Sequence, residues 1–315
     1  MKRDANIELY RCLLMFGICF LHSISFGKCG HPWYASATAW CVTGFVFITG
    51  YFGCKFAISK IVKLYGIAFW CALMSVLGRV YIDQNLPGGG GVNIIVESWR
   101  QLTDYWFLHA YVFMMMLAPV VDSALESKRS IRLWLVPLVL LCFGWSLANA
   151  VLNSHPSIKW IVPDTPGLGA YTGLTLIGVY AVGRVYRLKR DKIHPPLWAW
   201  AALAIVSLIG CVFELGHYNS PCSVVLAIVG FVVCEKIQLP DWLGRSIMFV
   251  ASSMFSVYLL QTNRFFIPKF AVINHHLAVL PLPVRYFIVA CIVFVVCVSV
   301  DFLRRAVARI ARIMV

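Results

Sequence analysis

The chain has 315 residues, of which 61% are apolar and only 13% charged, and its mean hydropathy is +0.81. A soluble domain carries about a quarter charged residues, so a polar shell of ordinary extent is excluded and lipid is the expected solvent. A net charge of +14 would suit nucleic acid, but its placement along the chain assigns it to membrane orientation instead.

Crossing ~30 Å of hydrocarbon takes about 20 mostly apolar residues in a helix, and the long apolar runs here are unlike the short alternating strands of a barrel. The sequence predicts an all-α polytopic transmembrane bundle of about ten spans, at 6–25, 34–54, 62–82, 105–121, 133–152, 168–186, 196–214, 220–235, 246–262 and 284–303. Met1 to Arg3 is basic, but no small-residue cleavage site follows the first apolar run, so that run is expected to stay as the first helix. With the N-terminus in the cytoplasm, 19 Lys and Arg fall inside. Seven fall outside: Lys28, Arg79, Arg100, Lys159, Arg264, Lys269 and Arg285. The bias places both termini in the cytoplasm and accounts for most of the net charge, which leaves nucleic acid without a role. The basic segment Arg304 to Arg312 reads as a helix against the anionic inner leaflet.

One membrane domain, 1–315, is expected. The longest non-spanning stretches are 83–104, 153–167 and 263–283. The first holds Pro87 and the glycine run Gly88 to Gly91, then a short surface helix predicted over Asn93 to Leu102. The glycines lack the GK[ST] ending of a phosphate loop and read as a flexible turn. The 12 cysteines lie mostly in apolar spans and form no CxxC, so they act as small apolar residues rather than a disulfide or zinc framework. His275 and His276 are adjacent and diverge on any regular element, which leaves no metal site.

Charges inside spans cost several kcal/mol unless they face a partner or a polar cavity. In the first span, LYRCLLMFGICFLHS, Arg11 and His22 are eleven positions apart, which puts them on one helix face about 16 Å apart along the axis. Glu8 precedes Arg11 by three residues and is placed to neutralise it. On geometry alone, a helix-start ion pair and a histidine bonded to a neighbouring helix is the simpler account.

A series of motifs then points further. Arg followed by ten residues and His, on a first helix after an acidic residue, resembles the hallmark of the integral-membrane acyltransferase-3 family. FVFITGYFGCKF (45–56) is similar to that family's second-helix ending, with Gly50 and Tyr51 placed at the turn. Lys60 and Lys63 stand where the family has an R-x-x-R pair, keeping the charge but not the bidentate fork. YWFLHAYVFMMMLAPVVD (105–122) resembles the W-F-L…P segment through Trp106, Phe107, Leu108 and Pro119, and VYAVGRVYR (179–187) the end of a mid-chain helix. SSMFSVYLLQTN (252–263) is similar to a late segment through Phe255, Tyr258, Leu259 and Asn263, with Gln261 where the family has histidine.

The resemblance implies transfer of an acyl group, acetyl in the first instance, from cytoplasmic acyl-CoA as co-substrate to a sugar hydroxyl. The acceptor is a cell-surface or exported polysaccharide or its precursor, and the site is a bacterial inner membrane. It implies His22 and Arg11 as the catalytic pair, with Arg11, Lys60 and Lys63 facing the phosphates of the donor. His22 would serve as base toward the acceptor, with Ser23 and Ser25 orienting it; direct attack and a transient acyl-histidine both fit. Glu8, Tyr51, Tyr258, Gln261 and Asn263 are substrate-positioning candidates. Trp106 and His109 join them, although an aromatic-belt anchor and a packing histidine are the plainer readings of those two. No bound cofactor and no metal are expected; membrane lipid, the glycan and polysaccharide-assembly proteins are the expected partners. Two other functions stay open: a glycan transporter or flippase with Arg11 and His22 lining a path, and a non-catalytic membrane subunit. The transporter is disfavoured by the lack of an internal repeat.

Overall fold

The computed structural model describes residues 4–26, 37–83, 93–126, 169–192, 195–212 and 220–313. Every regular element among them is helical. In chain order the α-helices are α1 (Ala5–Phe26), α2 (Trp40–Phe52), α3 (Ile58–Tyr81), α4 (Ile94–Leu102), α5 (Trp106–Glu126) and α6 (Gly169–Lys189). There follow α7 (Leu197–Gly210), α8 (Pro221–Glu235), α9 (Asp241–Ala251), α10 (Met254–Gln261), α11 (Phe266–His276) and α12 (Leu282–Ile313).

Among the described residues, four helical stretches are long and apolar enough to cross a membrane: Ala5–Phe26, Ile58–Tyr81, Trp106–Glu126 and Leu282–Ile310. Asp241–Ala251 and Met254–Gln261 make a fifth if the pair, bent by 45°, is one broken span. Trp40–Phe52, Leu197–Gly210 and Pro221–Glu235 are shorter apolar helices. Leu13, Phe113, Met116, Val206 and Val295 lie exposed on these helices, which is costly in water and natural against lipid tails. The chain is a multi-pass membrane protein. The expected span 133–152 lies outside the described residues. The expected span 246–262 is not one straight helix: it breaks at Ser252 and Ser253.

Local sequence explains several helix ends. The surface helix expected over Asn93 to Leu102 is α4, started by Asn93, whose Oδ1 accepts from the amides of Ile95 and Val96 at 3.2 Å each. Such a cap is worth about 1 kcal/mol. Ser220 caps α8 in the same way through the Ser223 amide at 3.2 Å, with Pro221 beginning the helix.

The described residues form two compact units, each discontinuous in sequence. The first comprises residues 1–31, 59–105 and 237–315, and the second 32–58 and 106–236. In the first, α1 packs on α9, α10, α11 and α12. Phe16 meets Phe287 and Phe294 edge-on, with centroids 5.5 and 6.1 Å away, and Phe265 covers Gly78 of α3.

In the second unit α6 packs against α2 and α5, and α8 against α2 and α7. The α2–α6 approach depends on two glycines. A Cβ at Gly50 would fall 2.1 Å from the Tyr180 carbonyl oxygen, and one at Gly183 2.4 Å from that of Phe47. Gly50 and Tyr51 therefore lie within the last turn of α2, not at the turn beyond it, and Gly50 is there for close packing. The residue that ends the helix is Gly53, at φ 74°. Replacing Gly50 or Gly183 by Ala is expected to lower membrane yield and the melting temperature in detergent. Gly66→Ala, which meets nothing within 4 Å, is expected to hold or raise that temperature by improving helix propensity.

Candidate functional site

The first unit collects Glu8, Arg11, His22, Lys60, Lys63, Tyr258, Gln261 and Asn263, and the second holds Tyr51, Trp106 and His109. On α1, Arg11 Nη1 lies 3.3 Å from Glu8 Oε1, as the three-residue spacing leads one to expect. Glu8 is buried while about a third of the Arg11 side chain, 34%, stays exposed. The carboxylate thus holds the guanidinium near the helix start and leaves one side of it open.

His22 sits four residues before the end of α1. Its Nδ1 is buried and makes no hydrogen bond. Gln261, the last residue of α10, comes within hydrogen-bonding reach of the ring. The Gln261 Nε2 donates to Met15 Sδ at 3.6 Å, while its Oε1 is buried without a partner. Met15 and His22 are seven residues apart and share a helix face, so the amide is steadied from the same face of α1 that carries the imidazole. A polar side chain of fixed orientation beside a histidine selects the imidazole tautomer, and with it which nitrogen is free to accept a proton.

The expected helpers of His22 do something else. Ser23 Oγ points at the carbonyl oxygens of Phe20, 2.7 Å away, and Tyr286, 3.1 Å away, tying α1 to α12. Ser25 is exposed. Asn263, expected to position substrate, is consumed by the fold: its Nδ2 donates to the Cys71 carbonyl at 2.9 Å and its Oδ1 accepts from the Phe265 amide at 2.9 Å. It closes the end of α10 and pins it to α3. Tyr258 is buried on the same short helix.

The break ahead of α10 is organised by a buried carboxylate and two arginines of the basic segment expected against the inner leaflet. Asp301, fully buried on α12, pairs with Arg304 at 2.8 Å and with Arg305 at 3.0 Å. Arg305 reaches on to the hydroxyls of Ser252 and Ser253, the latter at 2.8 Å, and Arg304 lies over the Trp70 ring. These two arginines therefore turn inward instead of lying against the leaflet. The signal was present as D-x-x-R-R, an i, i+3, i+4 spacing, together with the serine pair that opens the late motif.

Lys60 and Lys63 occupy the first two turns of α3, exposed. Their positive charges add there to that of the helix N-terminus, a combination that favours an anion. In the second unit Tyr51 is buried, its Oη accepting from Arg187 at 2.9 Å and Arg190 at 2.7 Å, and Arg190 pairs with Glu235 at 2.6 Å. Tyr51 thus joins α2 to the end of α6. Trp106 is exposed, edge-on to Phe107. His109 is also exposed. A cavity of about 670 Å³ in this unit is lined by Cys54, Lys55, Phe56, Pro119, Asp122, Ser123 and Glu126. No group of three or more His, Cys, Asp or Glu among the described residues is placed to hold a metal ion.

The described helices are those of a multi-pass membrane protein that carries a shielded histidine and a half-open arginine on one helix. A family model described as an acyltransferase domain matches residues 4–302, and the chain belongs to this acyltransferase-3 family. It is an acyltransferase. No curated protein and no solved structure matches the chain.

Breaking the Asp301 cluster is expected to be costly. Asp301→Ala leaves two partly buried guanidiniums without their carboxylate, at a cost of about 3 kcal/mol or more, read as lost membrane yield or a lower melting temperature in detergent. Arg304→Ala is expected to cost less, because Arg305 still pairs with Asp301.

Proposed function

We propose that the protein transfers an acetyl group from cytoplasmic acetyl-CoA to a sugar hydroxyl of a cell-surface or exported polysaccharide or its lipid-linked precursor. In this reading it lies in a bacterial inner membrane as one domain of ten spans, with both termini in the cytoplasm, and meets the assembly proteins of that glycan there. The observation that carries the proposal is the buried, unbonded Nδ1 of His22 beside Gln261, on the same helix as a partly open Arg11.

The chemistry follows from those positions. Lys60, Lys63 and Arg11 attract the phosphates of the donor, while Glu8 fixes the direction of the Arg11 guanidinium. The extended pantetheine arm then carries the thioester along α1 toward His22. The imidazole takes the proton of the acceptor hydroxyl as its oxygen attacks the thioester carbonyl carbon. The tetrahedral intermediate collapses, the carbon–sulfur bond breaks, and the CoA thiolate receives the proton from the imidazolium. The products are the sugar ester and free CoA. Gln261, standing where relatives have histidine, orients the His22 ring and needs no proton of its own.

Two expectations test the two halves of the site. His22→Ala and His22→Gln, at equal membrane abundance, should abolish ester formation on the glycan while leaving acetyl-CoA binding within about twofold; full esterification by His22→Ala would remove the base from the mechanism. Lys60→Ala with Lys63→Ala should weaken CoA binding in detergent by about tenfold or more, and added salt should weaken the wild type. The corresponding Lys→Arg changes should bind normally, whereas unchanged affinity in the double Ala variant would exclude both lysines as phosphate contacts.

A further inference from the structure

Three residues of the first unit that carry buried, unbonded polar atoms lie on or beside the elements that hold the end of α10. Ser75 Oγ, both polar atoms of the Gln101 side chain and Tyr105 Oη are buried and make no hydrogen bond, and the three residues are 0%, 1% and 0% exposed. The framework links them. Ser75 stands one turn beyond Cys71 on α3, and the Cys71 carbonyl holds Asn263. Tyr105 lies beside Cys71 and within reach of the Asn263 side chain. Gln101 is in the last turn of α4, its carbonyl accepting from the Asp104 amide at 3.1 Å, one residue before Tyr105. Asn263 in turn follows Gln261 by two residues, and Gln261 faces His22.

Each buried amide or hydroxyl left without a partner costs about 1–3 kcal/mol, so natural structures keep such groups few. Here three sit on segments that lead to Cys71 and Asn263, and Asn263 is two residues beyond Gln261. Two hydroxyls and a carboxamide offer donors and acceptors but no charge. The basic groups on the neighbouring segments are paired with acids. Arg79 and Arg100 pair with Glu97 at 4.0 and 3.5 Å, Arg264 with Asp104 at 2.6 Å, and Lys269 with Asp83 at 2.8 Å. A ligand that satisfies this set carries several hydroxyls and no net charge at the point of contact.

We propose that Ser75, Gln101 and Tyr105 form the acceptor subsite, and that they bind a neutral sugar residue through its ring hydroxyls. This rests on the sugar-acyltransferase reading above and deepens it. The subsite holds the acceptor, and His22 takes the proton from the hydroxyl presented to it.

The test exploits the mismatch between stability and use. Ser75→Ala, Gln101→Leu and Tyr105→Phe each remove an unpaired polar group without leaving a new one. If the groups serve a ligand, the variants melt at or above the wild-type temperature. In proteoliposomes supplied with acetyl-CoA and the host surface polysaccharide, stripped of its esters by alkali, the acceptor KM then rises about tenfold while the donor KM stays within about twofold. If the groups are merely structural, the variants melt lower and the two KM values move together or not at all, which overturns the proposal. Esterification by the wild type with unchanged acceptor KM in Gln101→Leu and Tyr105→Phe overturns the subsite alone. A wild type that forms no ester on the polysaccharide while still binding acetyl-CoA overturns the sugar reading and the subsite with it.

Discussion

The buried carboxylate of Asp301 fixes the geometry on which the first unit depends. A lone carboxylate among apolar helices is untenable, and two guanidiniums on the next turn of α12 make it tenable. One of them, Arg305, also grips Ser252 and Ser253. The backbone groups released where α9 gives way to α10 are thereby placed beside a fixed charge, as an interrupted helix at membrane depth requires. At its other end α10 is closed by Asn263 on α3. An eight-residue helix pinned at both ends has little freedom to turn, and its last residue is Gln261. The orientation of one amide beside His22 is thus set from both directions along the chain.

Much of this was legible in the sequence where the signal was local. The spacing of Glu8, Arg11 and His22 gave the ion pair and the shared helix face, and Asn93 gave the start of α4. The apolar runs located α1, α3, α5 and α12. Periodicity does not see a helix break, because residues 246–262 are apolar on both sides of the serine pair, and only a partner on another helix makes bending there favourable. Arg304 and Arg305 were misplaced for the same reason: a basic helix end looks alike whether its charges meet lipid headgroups or a carboxylate three or four residues back. Gly50 was read as a turn glycine because helix-packing glycines and turn glycines share a sequence neighbourhood, and Gly53 stands three residues on. Ser23 and Asn263 illustrate the opposite error, polar residues beside a reactive one that are committed to holding backbone carbonyls and amides.

The distribution of charge also changes on folding. Counting lysines and arginines treats each as one free positive charge, yet Arg79, Arg100, Arg264 and Lys269, all on the side proposed to face outward, have acidic partners. Arg264, held in two bonds by Asp104, is raised above its ordinary pKa chiefly by them. Lys60 and Lys63 stay exposed on the opposite side in the proposed topology. Arg184, Arg190, Arg304 and Arg305, counted on that opposite side, also have acidic partners, so ion pairing reduces the free charge on both sides of the count.

The glycine-to-carbonyl contacts of α2 and α6 carry a consequence for how the second unit comes apart. Lipid tails are as apolar as the side chains they would replace, so a close helix crossing in a bilayer is held by dispersion and weak dipolar contact, not by the expulsion of water. Urea, which acts by solvating apolar and peptide surface in water, has little purchase on such a crossing. Surfactant chains that compete for the same van der Waals surface are the agents that pry it open, and resistance of the folded chain to sodium dodecyl sulfate becomes the natural scale for the fit of Gly50 and Gly183.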